Sequence, residues 1–116
     1  MARHSLLAAL ILFAMTGAGS ATFTGGTDLL ENCTVDKSEV IYYQRKALCM
    51  GYIQGVADSF ACDKDLFGFR WRSPAGVTTG QLLMVVEKYL RSNPNELHYS
   101  GSSLVAAALD QAFPCE

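Results

Sequence analysis

Four cysteines, Cys33, Cys49, Cys62 and Cys115, are the residues of this chain best suited to covalent chemistry. An even count in a small domain, with no C-x-x-C pair, points to two disulfides rather than to a zinc centre. No metal site and no cofactor are expected. Hydrolytic chemistry is thinly provided for. Beyond residue 21, His98 is the only histidine, set beside Tyr99 and Ser100. A nucleophilic triad needs such a base next to an activated Ser or Cys, but the thiols are expected to be oxidised and no G-x-S-x-G segment occurs. Asp58 has a general-base side chain, yet its ordinary role is an exposed or salt-bridged carboxylate. Asp63 and Asp65 flank Lys64 and read as loop-solvating charges. No catalytic residue is assigned, and the chain is not expected to be an enzyme.

Binding chemistry is concentrated instead in Leu66-Phe67-Gly68-Phe69-Arg70-Trp71-Arg72, which holds the only tryptophan, two phenylalanines and two arginines. Trp and Arg are frequent anchors of protein interfaces. The alternation from Phe69 to Arg72 also suits a short extended segment, its aromatics laid as a lid on a core and Arg70 and Arg72 pointing away. A lid and an interface are both open to it. Phe67, Phe69, Arg70, Trp71, Arg72 and His98 are therefore the candidate partner-binding residues.

These residues need a scaffold, and the apolar periodicity supplies one. Arg3 and His4 precede an apolar run from Leu6 to Ala14, and small residues follow from Thr16 to Ala21. This is the pattern of a secretory signal peptide over residues 1–21, with cleavage after Ala21 or, alternatively, after Ser20. The run is shorter than the roughly 20 residues of a membrane span. The remaining residues 22–116 are expected to make one small exported domain. The net charge of −2 gives no attraction to nucleic acid or to an anionic membrane surface.

Thr22 to Gly26 reads as a lead-in, followed by a short helix capped by Thr27. A second helix runs from an N-cap at Ser38 to about Ala61, and an irregular connection spans Asp63 to Gly76. In the third helix Thr78 and Gln81 have capping-box spacing, and Leu82, Val85, Val86, Tyr89 and Leu90 form one apolar face. Glu87 and Arg91 pair on its outside, and Asn93-Pro94-Asn95 ends it. A fourth helix, Gly101 to Ala112, is capped by Ser100 and turns Leu104, Val105, Ala108, Leu109, Ala112 and Phe113 inward. The expected fold is all-α, a compact bundle of about four helices stapled by two disulfides.

Within the second helix, Ala47, Gly51, Gly55 and Ser59 recur every fourth residue. Glycine costs about 1 kcal/mol relative to alanine inside a helix, so Gly51 and Gly55 are expected to serve close packing against Ala106–Ala108. Leu48, Tyr52, Val56 and Phe60 form a large-residue stripe beside them. Four cysteines allow three pairings, and the sequence leaves the choice open. One helix joining Cys49 to Cys62 disfavours that pair, since it holds them far beyond disulfide reach. An antiparallel third and fourth helix weakly favours Cys62–Cys115 with Cys33–Cys49.

Several segments, in this order, resemble the Tai/Rap-type immunity domain associated with type VI secretion. They are Cys49-x-Gly51-Tyr52-Ile53-x-Gly55-Val56-x-Asp58, Gly76-Val77-Thr78-x-Gly80-Gln81-Leu82, Val86-x-Lys88-Tyr89-Leu90-x-x-Asn93-Pro94, and Leu104-Val105-x-x-Ala108-Leu109-x-x-Ala112-Phe113-Pro114-Cys115. The likeness spans roughly Leu29 to Cys115. It implies a helical, disulfide-bonded periplasmic protein, often a homodimer, that blocks a peptidoglycan amidase effector by occluding its cleft. The domain also occurs without an effector partner, so a structural or chaperone-like helical protein of the same fold is the alternative. One departure stands out. Members of this family usually carry a cysteine two residues before the proline that precedes Gly-Val-Thr. Here that position is Arg72, and the third cysteine is Cys62.

Overall fold

The computed structural model describes residues 23–116. The signal-peptide segment, residues 1–21, lies outside them. Four helices follow in order: α1 (Gly26–Cys33), α2 (Tyr42–Ala57), α3 (Thr79–Ser92) and α4 (Gly101–Ala112), with one 3₁₀ turn at Pro94–Glu96. Each helix packs against the other three. Among the described residues there is no strand, only isolated bridges, so the all-α expectation holds. No described helix is long and apolar enough to cross a membrane.

Helix boundaries follow local polar chemistry. Thr78 Oγ1 accepts the amide of Gln81 at 3.1 Å, and Ser100 Oγ accepts that of Ser103 at 3.3 Å; both are the expected N-caps. Arg91 and Glu87 pair at 3.1 Å on the outer side of α3. Two starts differ from expectation. α1 begins one residue before Thr27, capped at Gly25, and the Asp28 carboxylate accepts the Gly25 amide at 3.2 Å. α2 begins at Tyr42 rather than after Ser38, because the Asp36 carboxylate takes the Ser38 amide at 2.8 Å and turns the chain. The Ser38 hydroxyl first, and its amide second, lower the Asp36 pKa. α2 also ends at Ala57, four residues short of Ala61.

The buried face of α2 is rotated from the one expected. Cys49, Ile53, Val56 and Ala57 are buried, with Phe60 just beyond, whereas Ala47, Leu48, Gly51, Gly55 and Ser59 face outward. A methyl group at Gly51 or Gly55 meets nothing within 4 Å. The close-packing role expected of these two glycines is therefore corrected: within the chain they face open space. α2 carries apolar residues around its whole circumference, so periodicity could not choose a face. The Cys33–Cys49 bridge fixes it. Close helix approach occurs elsewhere. A Cβ on Gly26 overlaps a methyl of Leu104 and comes within 2.8 Å of the Leu97 carbonyl. One on Gly101 lies 3.1 Å from the Tyr52 ring. Tyr52 thus packs across to α4, against a glycine that the sequence reading assigned no packing role.

The disulfides are Cys33–Cys49 and Cys62–Cys115, with Cα separations of 5.1 and 5.8 Å. They close loops of 16 and 53 residues, and chain-entropy arguments give each about 3–4 kcal/mol. The core between them is formed chiefly by Leu29, Ile53, Val86, Leu90, Val105 and Leu109. Ala106 and Leu83 are buried too, while Ala112, expected inside, is exposed.

Candidate partner-binding surface

The segment from Cys62 to Arg72 crosses the end of α4 and is tied there at both ends. Its start is held by the Cys62–Cys115 bridge. Its end is held by the Arg72 amide, which donates to the Phe113 carbonyl at 2.9 Å. Between them the Arg70 amide donates to the Asp110 carboxylate at 2.8 Å. Positions 62 and 72 therefore both lie beside the chain end of α4. A bridge from either position would anchor this segment at the same place.

Inside the segment the chain makes two consecutive tight turns. Ala61 and Lys64 exchange backbone hydrogen bonds, and so do Leu66 and Phe69 at 2.9 Å each way. Phe67 and Gly68 occupy the apex of the second turn with φ of +53° and +83°. Positive φ at both central residues marks a type I′ turn, which normally takes Asn-Gly or Gly-Gly. Glycine suits its place. Phenylalanine does not, since positive φ brings its Cβ close to its own backbone. The Asp65 carboxylate holds the apex by accepting the Gly68 amide at 3.1 Å.

The candidate residues separate into two groups. Trp71 is 5% exposed; its indole donates to the Phe60 carbonyl at 2.9 Å, and its ring leans on Phe60 and Phe113. It serves as the lid, one of the two roles open to it. Phe69 is half-buried, while Arg70 and Arg72 point outward as the alternation suggested. Phe67 is 63% exposed. His98 is exposed and stacks on Tyr99 with ring centroids 4.2 Å apart.

The Leu66–Phe69 turn stands as a ridge between two hollows. Leu66 and Phe67 border a shallow, mainly apolar groove of about 480 Å³ over Gly51, Tyr52 and Gly55 of α2. Phe69 borders a cavity of about 520 Å³ whose other walls include Tyr89, Glu96, Tyr99 and Asp110. The loop aromatics and the His98–Tyr99 corner thus meet on one side of the molecule, through Tyr99. Asp58 lies elsewhere, accepting from the Gln54 amide at 3.2 Å in a hollow shared with Thr78 and Thr79. His98 is not among the residues lining that hollow.

A family model, that of the Rap1a immunity proteins, matches residues 25–115. The chain belongs to the Rap1a immunity protein family. The match takes in all four helices, both disulfides and the tethered ridge. No curated protein matches the chain. As a Rap1a immunity-family protein it is expected to act by binding, and its surface can be judged on those terms. Sequence reading missed two parts of that surface. Glu96 and Asp110 belong to different elements and meet only through the fold. Val40, just before α2, and Tyr43, in its first turn, are exposed large apolar side chains.

Proposed function

We propose that this protein is a periplasmic immunity protein that binds a peptidoglycan amidase effector of type VI secretion and covers its active-site cleft, with no catalysis of its own. Phe67 carries this reading. It is a large apolar side chain, mostly exposed, at the apex of a turn whose backbone it disfavours. Folding gains little from it there, and a partner would gain a good deal. The segment behind it is tied to α4 at both ends, so little ordering entropy is lost on binding. A pinned ridge with an apolar groove on one side and an aromatic and acidic hollow on the other suits a concave partner, and enzyme clefts are concave.

Family membership supplies the class of activity, and the resemblance of the four sequence segments supplies the amidase and the secretion route. Two disulfides and the apolar run of residues 6–14 support export to an oxidising compartment. Phe69, Arg70 and Arg72 flank the ridge as further contacts, and His98 lies at its far corner.

The test uses oxidised protein beginning at Thr22 and an amidase encoded beside its gene. Calorimetry is expected to give nanomolar affinity, and peptidoglycan hydrolysis is expected to stop at stoichiometric inhibitor. Folded, oxidised protein that neither binds nor inhibits such enzymes overturns the proposal and leaves the structural or chaperone-like role. N-terminal sequencing of the exported form is expected to begin at Thr22, or at Ala21 for the alternative cleavage.

A further inference from the structure

We infer that the cavity beside Phe69 receives a cationic side chain, a guanidinium or an ammonium, from the bound partner. The partner's identity as an effector rests on the proposed function; the cation preference rests on the cavity alone. Phe69 comes from the tethered turn, Tyr89 from α3, Glu96 from the 3₁₀ turn, Tyr99 from the corner before α4, and Asp110 from α4. Three aromatic and two acidic residues therefore line one hollow of about 520 Å³. Aromatic faces attract cations through their quadrupole, and carboxylates bind guanidinium through charge-assisted hydrogen bonds.

The two carboxylates are positioned but not neutralised. Tyr89 donates its hydroxyl to Glu96 Oε2 at 3.2 Å. The Arg70 amide donates to Asp110 Oδ2 at 2.8 Å, and Oδ1 receives no hydrogen bond among the described residues. Among the described residues the ion pair is Arg91 with Glu87, on the outer side of α3, and neither Glu96 nor Asp110 has a cationic partner. The nearby cations are turned elsewhere. The Arg70 guanidinium reaches the Cys62 carbonyl at 3.4 Å, and Lys88 lines a separate groove between α3 and α4. Two like charges in one aromatic-walled hollow create a negative potential that a single partner cation relieves.

The probe is N-acetyl-arginine amide, titrated into the oxidised protein at low salt and followed by two-dimensional amide NMR, with N-acetyl-glutamine amide as the neutral control. Saturable shifts are expected at Tyr99, Ser103 and Asp110, suppressed by added salt and absent with the control. The Glu96→Gln/Asp110→Asn double variant is expected to lose them while keeping a dispersed spectrum. If that variant fails to fold, Tyr99→Ala, which removes a half-exposed ring, is expected to weaken probe binding at least threefold. No saturable shifts in the unaltered protein, or equal shifts with the neutral control, overturns the inference whether or not any effector is bound. With an inhibited amidase in hand, the double variant is expected to bind it at least tenfold more weakly and with less salt dependence. Unchanged amidase affinity overturns the partner-cation role and leaves the immunity reading standing. Probe binding without any amidase binding supports the cation preference and counts against the immunity reading instead.

Discussion

The indole N–H of Trp71 reaches 2.9 Å across the core boundary to the backbone carbonyl of Phe60, joining the tethered segment to the end of α2. This single contact explains why a residue type favoured in interfaces is here withdrawn from solvent. Phe60 lies beyond the last turn of α2, where a carbonyl has no helical partner and must find a donor. Trp71→Ala is therefore expected to lower unfolding free energy by about 3–5 kcal/mol, measured by urea denaturation. Trp71→Phe keeps most of the packing but strands the carbonyl, at about 1–3 kcal/mol. Partner affinity at full folding is expected to stay within a few-fold.

Phe67 is expected to behave in the opposite way. Phe67→Ala should weaken amidase binding by about 2 kcal/mol or more while leaving thermal stability nearly unchanged. Phe67→Asn, which suits the positive φ of a type I′ turn, should raise the melting temperature and still weaken binding. A stability loss with intact binding would show that the apex serves the fold.

Glycine substitutions separate the exposed stripe from the true contact points. Gly51→Ala and Gly55→Ala are each expected to stabilise the protein by up to about 1 kcal/mol, the helix-propensity difference, because the added methyl meets open space. Gly26→Ala is expected to destabilise it, since the methyl is driven into Leu104 and the Leu97 carbonyl. Thermal melts of the three variants check both signs. Melting of Gly51→Ala below the parent would mean that this face of α2 is covered by another molecule.

Tyr89 offers a pH test. Burial raises its phenol pKa above the usual value near 10, helped by the charge of Glu96 and the hydrogen bond to it. The folded state therefore holds this proton more tightly than the unfolded chain. By linkage, the associated stability is fully present below pH about 10 and is lost as pH rises through the folded pKa. Absorbance titration near 295 nm should show one tyrosine ionising late, and Tyr89→Phe should remove that step and flatten the alkaline fall in stability.

The legibility of this chain in its sequence divides along the range of the interactions. Thr78, Ser100 and the Asn93-Pro94 stop act over three or four residues, and the ends of α3 and α4 were readable from them. The face of α2 was not, because Cys49 is oriented by a bridge to Cys33 in another helix, and the exposed glycines mimicked a packing motif. Gly26 looked like a flexible lead-in, yet its constraint comes from Leu97 and Leu104, some seventy residues onward in the sequence. In the sequence Phe67 and Trp71 belong to one aromatic group. Only the positive φ at one and the hydrogen bond at the other separate the ridge from the lid. The Glu96–Asp110 cavity has no sequence signal, since its walls come from five separate stretches.

Removing the Cys62–Cys115 bridge tests the tether. Cys62→Ser/Cys115→Ser is expected to cost about 2–5 kcal/mol and to raise hydrogen exchange first across residues 62–72. The Cys33–Cys49 bridge should remain closed by mass spectrometry.

The same bridge also orders events in time. Cys33 and Cys49 emerge close together during synthesis and can pair as soon as both reach an oxidising compartment. Cys62 must wait until α3 and α4 have been made and delivered, because its partner follows both. Along the chain, covalent tethering of the 62–72 segment is therefore the later of the two closures. In a reduced chain the segment is held only by the Arg70 and Arg72 amides on α4 and by the seating of Trp71 on Phe60, so how firmly the ridge stands depends on the redox state of its surroundings.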